Sequence, residues 1–371
     1  MRFFFSESSK DFGGQAQQIL HQMTALTGEG HNCILACPSN SGIAQEAERR
    51  KLPWSPVPFR NSIHPPSLLR VRWLLKQHRI EVALCHSGHD ASVLCLAARS
   101  LRSRPTLLRV RTYLAKSPRP SSVNWSVDRT LVPSEYLRQS MIGSPDIKGD
   151  RVESLRPLIP FEQLRKQARL PLPAELAEWV SRHHPIITHA AMLRPEKAHS
   201  LALKVVAGLR SAFPKIGYVA VGSGRLDASL RQQATALGLD QSVYFAGLML
   251  PPAPMIAISD LVIMPSSMEP LGLTQLEALA LGVPVAVSDV GGLPETVSHN
   301  ETGWIFPSGE VESWIAGLTR ILSAPNTAKT YASAGRKQVE NRYSSQQHIH
   351  SLLAAVRTAA FGRSKSTAPT P

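Results

Sequence analysis

Two successive trains of alternating strand-like and helix-like segments, separated by a stretch punctuated by Pro157, Pro160, Pro171 and Pro173, constrain this chain more than any other feature. In the first train, short apolar runs at 3–5, 33–37, 82–85 and 106–110 take turns with amphipathic runs at 15–27, 43–51, 67–78 and 91–100. Parallel strands need a crossover between them, usually a helix, so this alternation predicts a parallel α/β sheet. The alternation restarts with strands at 185–190, 217–221, 243–245, 261–264 and 283–287 and helices at 198–213 and 226–237. The expected architecture is α/β, with two Rossmann-like domains facing across a cleft. Their expected limits are 1–160 and 183–345, joined by a linker at 161–182 holding one short helix at 161–169. A helix at 346–361 is expected to pack back on the N-terminal domain, followed by a disordered tail at 362–371. A length of 371 residues suits two such domains.

Charge narrows the partners. The net charge is +14, with +10 on residues 1–160 and only +4 on 161–371, which favours phosphorylated or anionic partners met by the N-terminal half. Nucleic acid is disfavoured, since only 6% of residues are aromatic and no helix-turn-helix, RRM or zinc pattern is legible. Cys33, Cys37, Cys85 and Cys95 form no CxxC pair and are expected as reduced, mostly buried thiols. The apolar run at 3–5 is too short for a signal peptide, and Pro251, Pro252 and Pro254 interrupt the longest uncharged stretch, 241–259. A cytoplasmic protein is expected, whose membrane contact would be peripheral. The helix at 67–78, with Arg70, Arg72, Lys76 and His78 around Leu69, Trp73 and Leu74, has the composition of a basic helix that could lie on an anionic inner-membrane surface or simply pack on its own sheet.

Ligands of open α/β sheets sit outside the carboxyl ends of strands, so residues just after strands carry the functional expectation. Gly13 and Gly14 follow the first strand and open a helix, where bare backbone can approach a phosphate. No third glycine completes a dinucleotide fingerprint. After the strand at 185–190, Arg194 and Lys197 place two cations where a leaving diphosphate could be neutralised without a metal. After the strand at 261–264, Pro270 keeps Glu269 out of helical geometry, and Gly272 lets backbone approach a ligand. Glu269 and Glu277 can accept hydrogen bonds from sugar or ribose hydroxyls, with phosphate near the N–H groups of Gly272 and Leu273.

The spacing Glu269…Glu277 in this strand-loop-helix context, followed by Gly291-Gly292-Leu293-Pro294-Glu295, resembles the GT-B glycosyltransferases of family 4, which are retaining and nucleotide-sugar dependent. Val221-Gly222-Ser223-Gly224 and the run from Val243 to Gly247 agree with it, and Leu193 to Lys197 looks like a variant in bacterial members associated with lipopolysaccharide and other surface polysaccharides. The resemblance implies that Glu277 binds the donor ribose, Glu269 the transferred sugar, Arg194 and Lys197 the diphosphate, and Gly14 phosphate from the other domain. Val243 or its neighbours would lie near the base. It implies a nucleotide-diphosphate sugar as co-substrate, a UDP-sugar by preference, a glycan or glycolipid acceptor, and no metal or other cofactor. The lack of any D-x-D in the chain is consistent with that.

Three features concern the other half of the reaction. His86 matches a family position and is expected at the catalytic centre, with Asp90 contacting the acceptor; the same segment could instead be a polar helix cap. Arg109 and Arg111, two apart on a strand, share a face and are expected to meet an anionic acceptor such as a phosphorylated or Kdo-bearing glycolipid. Thr112 stands where family members usually carry His; it cannot titrate near neutral pH, though its hydroxyl can bond the sugar. The rivals are therefore a catalytically impaired relative of these enzymes and a polyanion- or nucleic-acid-binding protein.

Overall fold

The computed structural model describes residues 1–113 and 119–366 and splits into two compact units, Met1–Leu158 with Ser345–Pro371, and Ile159–Ser344. Unit one holds β1 (Arg2–Ser6), β2 (Asn32–Cys37), β3 (Trp54–Pro56), β4 (Val82–Cys85), β5 (Thr106–Val110), β6 (Arg129–Val132) and β7 (Val152–Ser154). Unit two holds β8 (Ile186–Ala190), β9 (Gly217–Val221), β10 (Val243–Gly247), β11 (Leu261–Met264), β12 (Val285–Ser288) and β13 (Trp304–Phe306). The sheet orders are β3-β2-β1-β4-β5-β6-β7 and β10-β9-β8-β11-β12-β13. Every pair between these strands is parallel. Counted from its own first strand, each sheet runs 3-2-1-4-5-6, with a seventh strand added in unit one, so the order reverses beside β1 and β4 in one unit and beside β8 and β11 in the other. Those are the points where ligands collect in such sheets.

The apolar runs are unbroken because helices cover both sheet faces. Phe3, Phe4 and Phe5 are all fully buried; Phe3 and Phe5 enter the cluster under helix Gly14–Gly28, and Phe4 enters the opposite one with Val71 and Leu94. This is the period of two expected of a strand, and each ring contributes about 2–3 kcal/mol by burial. In unit two Ile263 and Val262 divide in the same way.

Several expectations change. The segment 161–182 is no linker: helices Phe161–Gln167 and Ala174–Ser181 bury Leu164, Leu176 and Trp179 within unit two. Helix Gly88–Arg99 starts earlier than expected and takes His89 and Asp90 into its first turn. Helix Ser345–Ser366 belongs to unit one, with Ile349, Leu352 and Val356 against Ile19, Leu20 and Met23; it runs through 362–366, placed above in the tail, while 367–371 lie outside the described residues. Strands β3, β6, β7 and β13 were not legible, being three or four residues long; β3, β6 and β7 also carry polar residues or proline. All four cysteines are free and buried. Among the described residues no helix is long and apolar enough to cross a membrane.

Candidate functional site

In unit two the site is built on backbone contacts. The loop after β8 is pinned by the loop after β9: Ala191 N–H donates to Val221 O (2.9 Å) and Leu193 N–H to Ser223 O (3.0 Å). A Cβ on Gly222 would lie 2.1 Å from Ala191 O, and one on Gly224 2.4 Å from Leu193 O, so only glycine permits this approach. The pinned loop delivers an exposed Arg194, with no carboxylate partner among the described residues, and then Lys197. Lys197 Nζ donates to Glu269 Oε2, both groups being largely buried.

Glu269 is held in the same manner. Gly292 N–H donates to its carbonyl (3.0 Å), and a Cβ on Gly291, where φ is +62°, would fall 1.9 Å from that oxygen. Gly272, at φ +84°, has the Gln275 amide 2.5 Å from where a Cβ would sit, and Gln275 Nε2 is itself spent on Leu271 O (2.7 Å). The N–H groups of Gly272 and Leu273 donate to no acceptor among the described residues, just before helix Thr274–Ala280. Thr274 Oγ1 ties the helix start to Ala190 O at the end of β8 (2.8 Å). Glu277, one turn in, has no protein donor among the described residues, and desolvation pushes its pKa up to about 7. Structure thus gathers Arg194, Lys197, Glu269, Gly272, Leu273 and Glu277 at the carboxyl ends of β8 and β11.

Beneath this loop lie two histidines that sequence reasoning passed over. His189 and His199 are buried, stack at 3.9 Å, and present their Nδ1 atoms to one Tyr218 hydroxyl at 3.0 and 3.1 Å. Burial lowers His199 to about 4 and His189 well below its ordinary value, so both are neutral. Their signal was a His at the penultimate position of a strand and another opening the next helix. Val243, in contrast, is misplaced by the sequence reading. It is the first residue of β10 and lies in the core with Tyr218 and Leu239, at the amino edge, about 13 Å of strand away from the ligand end at Gly247.

Unit one gathers polar side chains at the carboxyl ends of β1, β4 and β5. Gly13 caps helix Gly14–Gly28 with open space around it, leaving Gly14 exposed. His86 Nδ1 donates to Ser6 O (3.0 Å), since a carbonyl only accepts; burial lowers its pKa against the opposing pull of Glu7. A neutral His86 therefore keeps Nε2 as an acceptor for a hydroxyl proton. Asp90 corrects the expectation of an acceptor contact. It is fully buried and spent on Ser6 Oγ (2.9 Å), His86 N–H (3.0 Å) and Ser8 Oγ (3.3 Å), bracing β1 against β4. Burial and the nearby Glu7 raise its pKa to about 7. His89 points elsewhere, to Ser62.

Thr112 Oγ1 donates to Gln15 Oε1 (2.9 Å), and Gln15 Nε2 donates to Glu7, which also accepts from Ser87 Oγ. Glu7 and Gln15 were missed; the available signal was a carboxylate directly after the first strand. Arg109 and Arg111 are half-buried, and each keeps a buried Nε with no partner among the described residues. Desolvation, with Arg109 nearby, lowers Arg111 to about 10. Among the described residues no cluster of three or more His, Cys, Asp or Glu could hold a metal ion.

Residues 178–338 match the family described as glycosyl transferases group 1, and residues 12–162 the family described as glycosyltransferase family 4. The chain belongs to these glycosyltransferases. Curated relatives named D-inositol 3-phosphate glycosyltransferase include those of Saccharomonospora viridis (27% identical; 78% of this chain, 68% of that one) and Segniliparus rotundus (26%; 79% and 64%). The matched segment thus spans about two-thirds of these relatives' length. Among solved structures, a glycosyltransferase from Rickettsia africae superposes with a TM-score of 0.82 at 17% identity, covering 97% of this chain and 98% of that one. Anabaena HepE in complex with UDP-glucose superposes at 0.79 and 18%, covering 95% and 100%. The fold is GT-B.

Proposed function

We propose that this protein transfers a glycosyl group, with retention at the anomeric carbon, from a nucleotide-diphosphate sugar to a hydroxyl of an anionic glycan or glycolipid. The observation that carries the reading is the Lys197–Glu269 pair beside the unpartnered Glu277, at the switch point of the second sheet. Before donor binding the ammonium and carboxylate satisfy each other. A bound donor takes both: diphosphate oxygens accept from Lys197 and Arg194, and a sugar hydroxyl donates to Glu269. Glu277 accepts from the ribose hydroxyls.

In the reaction the acceptor oxygen forms its bond to the anomeric carbon on the face the diphosphate oxygen leaves. The electron pair of the breaking bond goes to the diphosphate, which collects the acceptor proton, so Thr112 need not act as a base. Arg194, Lys197 and the free N–H groups of Gly272 and Leu273 stabilise the charge that develops, and no metal is required. UDP is our preferred donor base, in keeping with HepE's complex. A phosphate-bearing acceptor is supported by the unpartnered Nε atoms of Arg109 and Arg111 and by the phosphorylated polyol in the curated relatives' name. We place the acceptor in lipopolysaccharide or other surface-polysaccharide assembly at the cytoplasmic face of the inner membrane, supported by the basic N-terminal half.

Titration with UDP, GDP, ADP and CMP, then transfer assays with phosphorylated polyol and oligosaccharide acceptors, test this. One diphosphate should bind, the product should keep the donor's anomeric configuration, and Lys197→Ala or Glu277→Ala should lower transfer about 100-fold or more. Folded variants with wild-type transfer would sink the site assignment. A second reading, a donor-binding protein without turnover, is favoured by Thr112 alone, whose hydroxyl is engaged with Gln15. Donor binding with no transfer to any of these acceptors would select it.

A further inference from the structure

A second concavity lies at the opposite end of unit one. The amino ends of β1, β4 and β5 border a cavity of about 860 Å³ lined by Arg2, Arg72, Lys76, Arg79, Arg102 and Arg104. One carboxylate, Glu81, joins the lining and is paired with Arg2 (3.3 Å), while Arg104 is paired with Asp128 (2.7 Å). Arg72 donates to the carbonyl and hydroxyl of Ser100 and leaves its charge uncompensated. Among the described residues Lys76, Arg79 and Arg102 meet no carboxylate either. Four unbalanced cations therefore border one recess. Arg79 sits at φ +47°, in the left-handed region just past helix Pro65–Gln77, where glycine is the residue without a steric cost. This chain places a guanidinium there.

We propose that this cavity binds a group carrying clustered phosphates, at a site separate from the sugar-transfer site. Concavities lined by one sign of charge focus the field. The planar guanidinium fork matches phosphate oxygens with paired donors, and three of the four unbalanced cations are arginines. The volume lies within the range of small-molecule sites. A recess of this size takes a compact anion or a headgroup; an extended duplex would need a basic stripe. The site is not a substrate subsite, because β1 alone puts about 13 Å between Arg2 and the polar cluster that begins at Ser6. Clustered phosphate has two sources, a soluble polyphosphate-type metabolite or a phosphorylated lipid headgroup. Exposed Leu69 and Trp73 on the helix that supplies Arg72 and Lys76 make the second geometrically accessible.

The test uses the full chain, tripolyphosphate as the soluble probe and phosphatidylcholine vesicles with or without cardiolipin as the lipid probe. The variants are Arg102→Glu with Lys76→Glu, both at exposed positions, and Lys197→Ala, which removes a cation proposed above to hold phosphate at the sugar-transfer site. Tripolyphosphate is expected to bind wild type and Lys197→Ala equally, and the charge-reversed protein about tenfold or more weakly. Cardiolipin-dependent vesicle binding that fails in the charge-reversed protein, without tripolyphosphate binding, supports the same site with a headgroup as its ligand. Wild-type affinity for both probes in the charge-reversed protein, or no binding of either probe to wild type, overturns the proposal. So does duplex DNA binding through Arg102 and Lys76 when neither small probe binds. Circular dichroism of the charge-reversed protein separates lost charge from lost fold.

Discussion

The two units share one strand order and differ in what holds their functional ends. In unit two, Gly222, Gly224, Gly291 and Gly292 press against backbone atoms, and a single Cβ at any of them would collide with a carbonyl oxygen. Its loops are fixed by main chain against main chain. In unit one, Gly13 has nothing among the described residues within reach of a Cβ, and the strand ends are held by side chains: Ser6 to Asp90, Thr112 to Gln15, Gln15 to Glu7. A backbone-built site tolerates little variation and leaves a readable motif. A side-chain-built site can be rewired one residue at a time.

The sharpest way to break this comparison is Gly291→Ala. The new methyl would overlap Glu269 O and force a non-glycine residue to φ +62°, so unit two should lose about 2–4 kcal/mol and the protein its donor binding. Thermal unfolding and nucleotide titration of the same sample read both losses.

An intermediate effect comes from pH. His189 and His199 stay neutral in the fold because burial depresses their pKa values, whereas the unfolded chain takes up protons from about pH 6.5 downward. Above that pH they contribute no pH dependence. Between pH 6.5 and 4 stability falls by about 1.4 kcal/mol per pH unit for each histidine. Glu277, raised to about 7, has the opposite sign: its proton is held in the fold as pH drops from 7 toward its ordinary value, which stabilises and offsets one of the two. The net expectation is loss, measurable as reduced hydrogen-exchange protection of β8 and β9 at pH 5 relative to pH 7 after correction for intrinsic rates. A flat profile would mean the buried pair is hydrated or already protonated.

The smallest effect is expected at the other unit's glycine. Gly13→Ser adds a side chain in open space, at φ −128° and an N-cap position that favours serine, so stability should stay within about 0.5 kcal/mol of wild type. A loss as large as that of Gly291→Ala would erase the distinction between the units.

Sequence alone determined the strand–helix alternation, its restart after the proline stretch, and the residues of the second unit's loops. The alternation is local, because apolar period and proline at a helix start act within a few residues; in unit two the glycines that permit the loop contacts are themselves the motif, although the carbonyls they approach are distant in the chain. Tertiary structure alone decided the rest. It buried Asp90 as a brace, packed the helices of the expected linker into unit two, and joined Glu7 to Thr112 through Gln15. It also gathered Arg2, Arg72 and Arg102 around one recess. Which end of a strand a residue occupies, and which distant side chain it meets there, depends on register and crossover rather than on residue type, and these are fixed only when the sheets assemble.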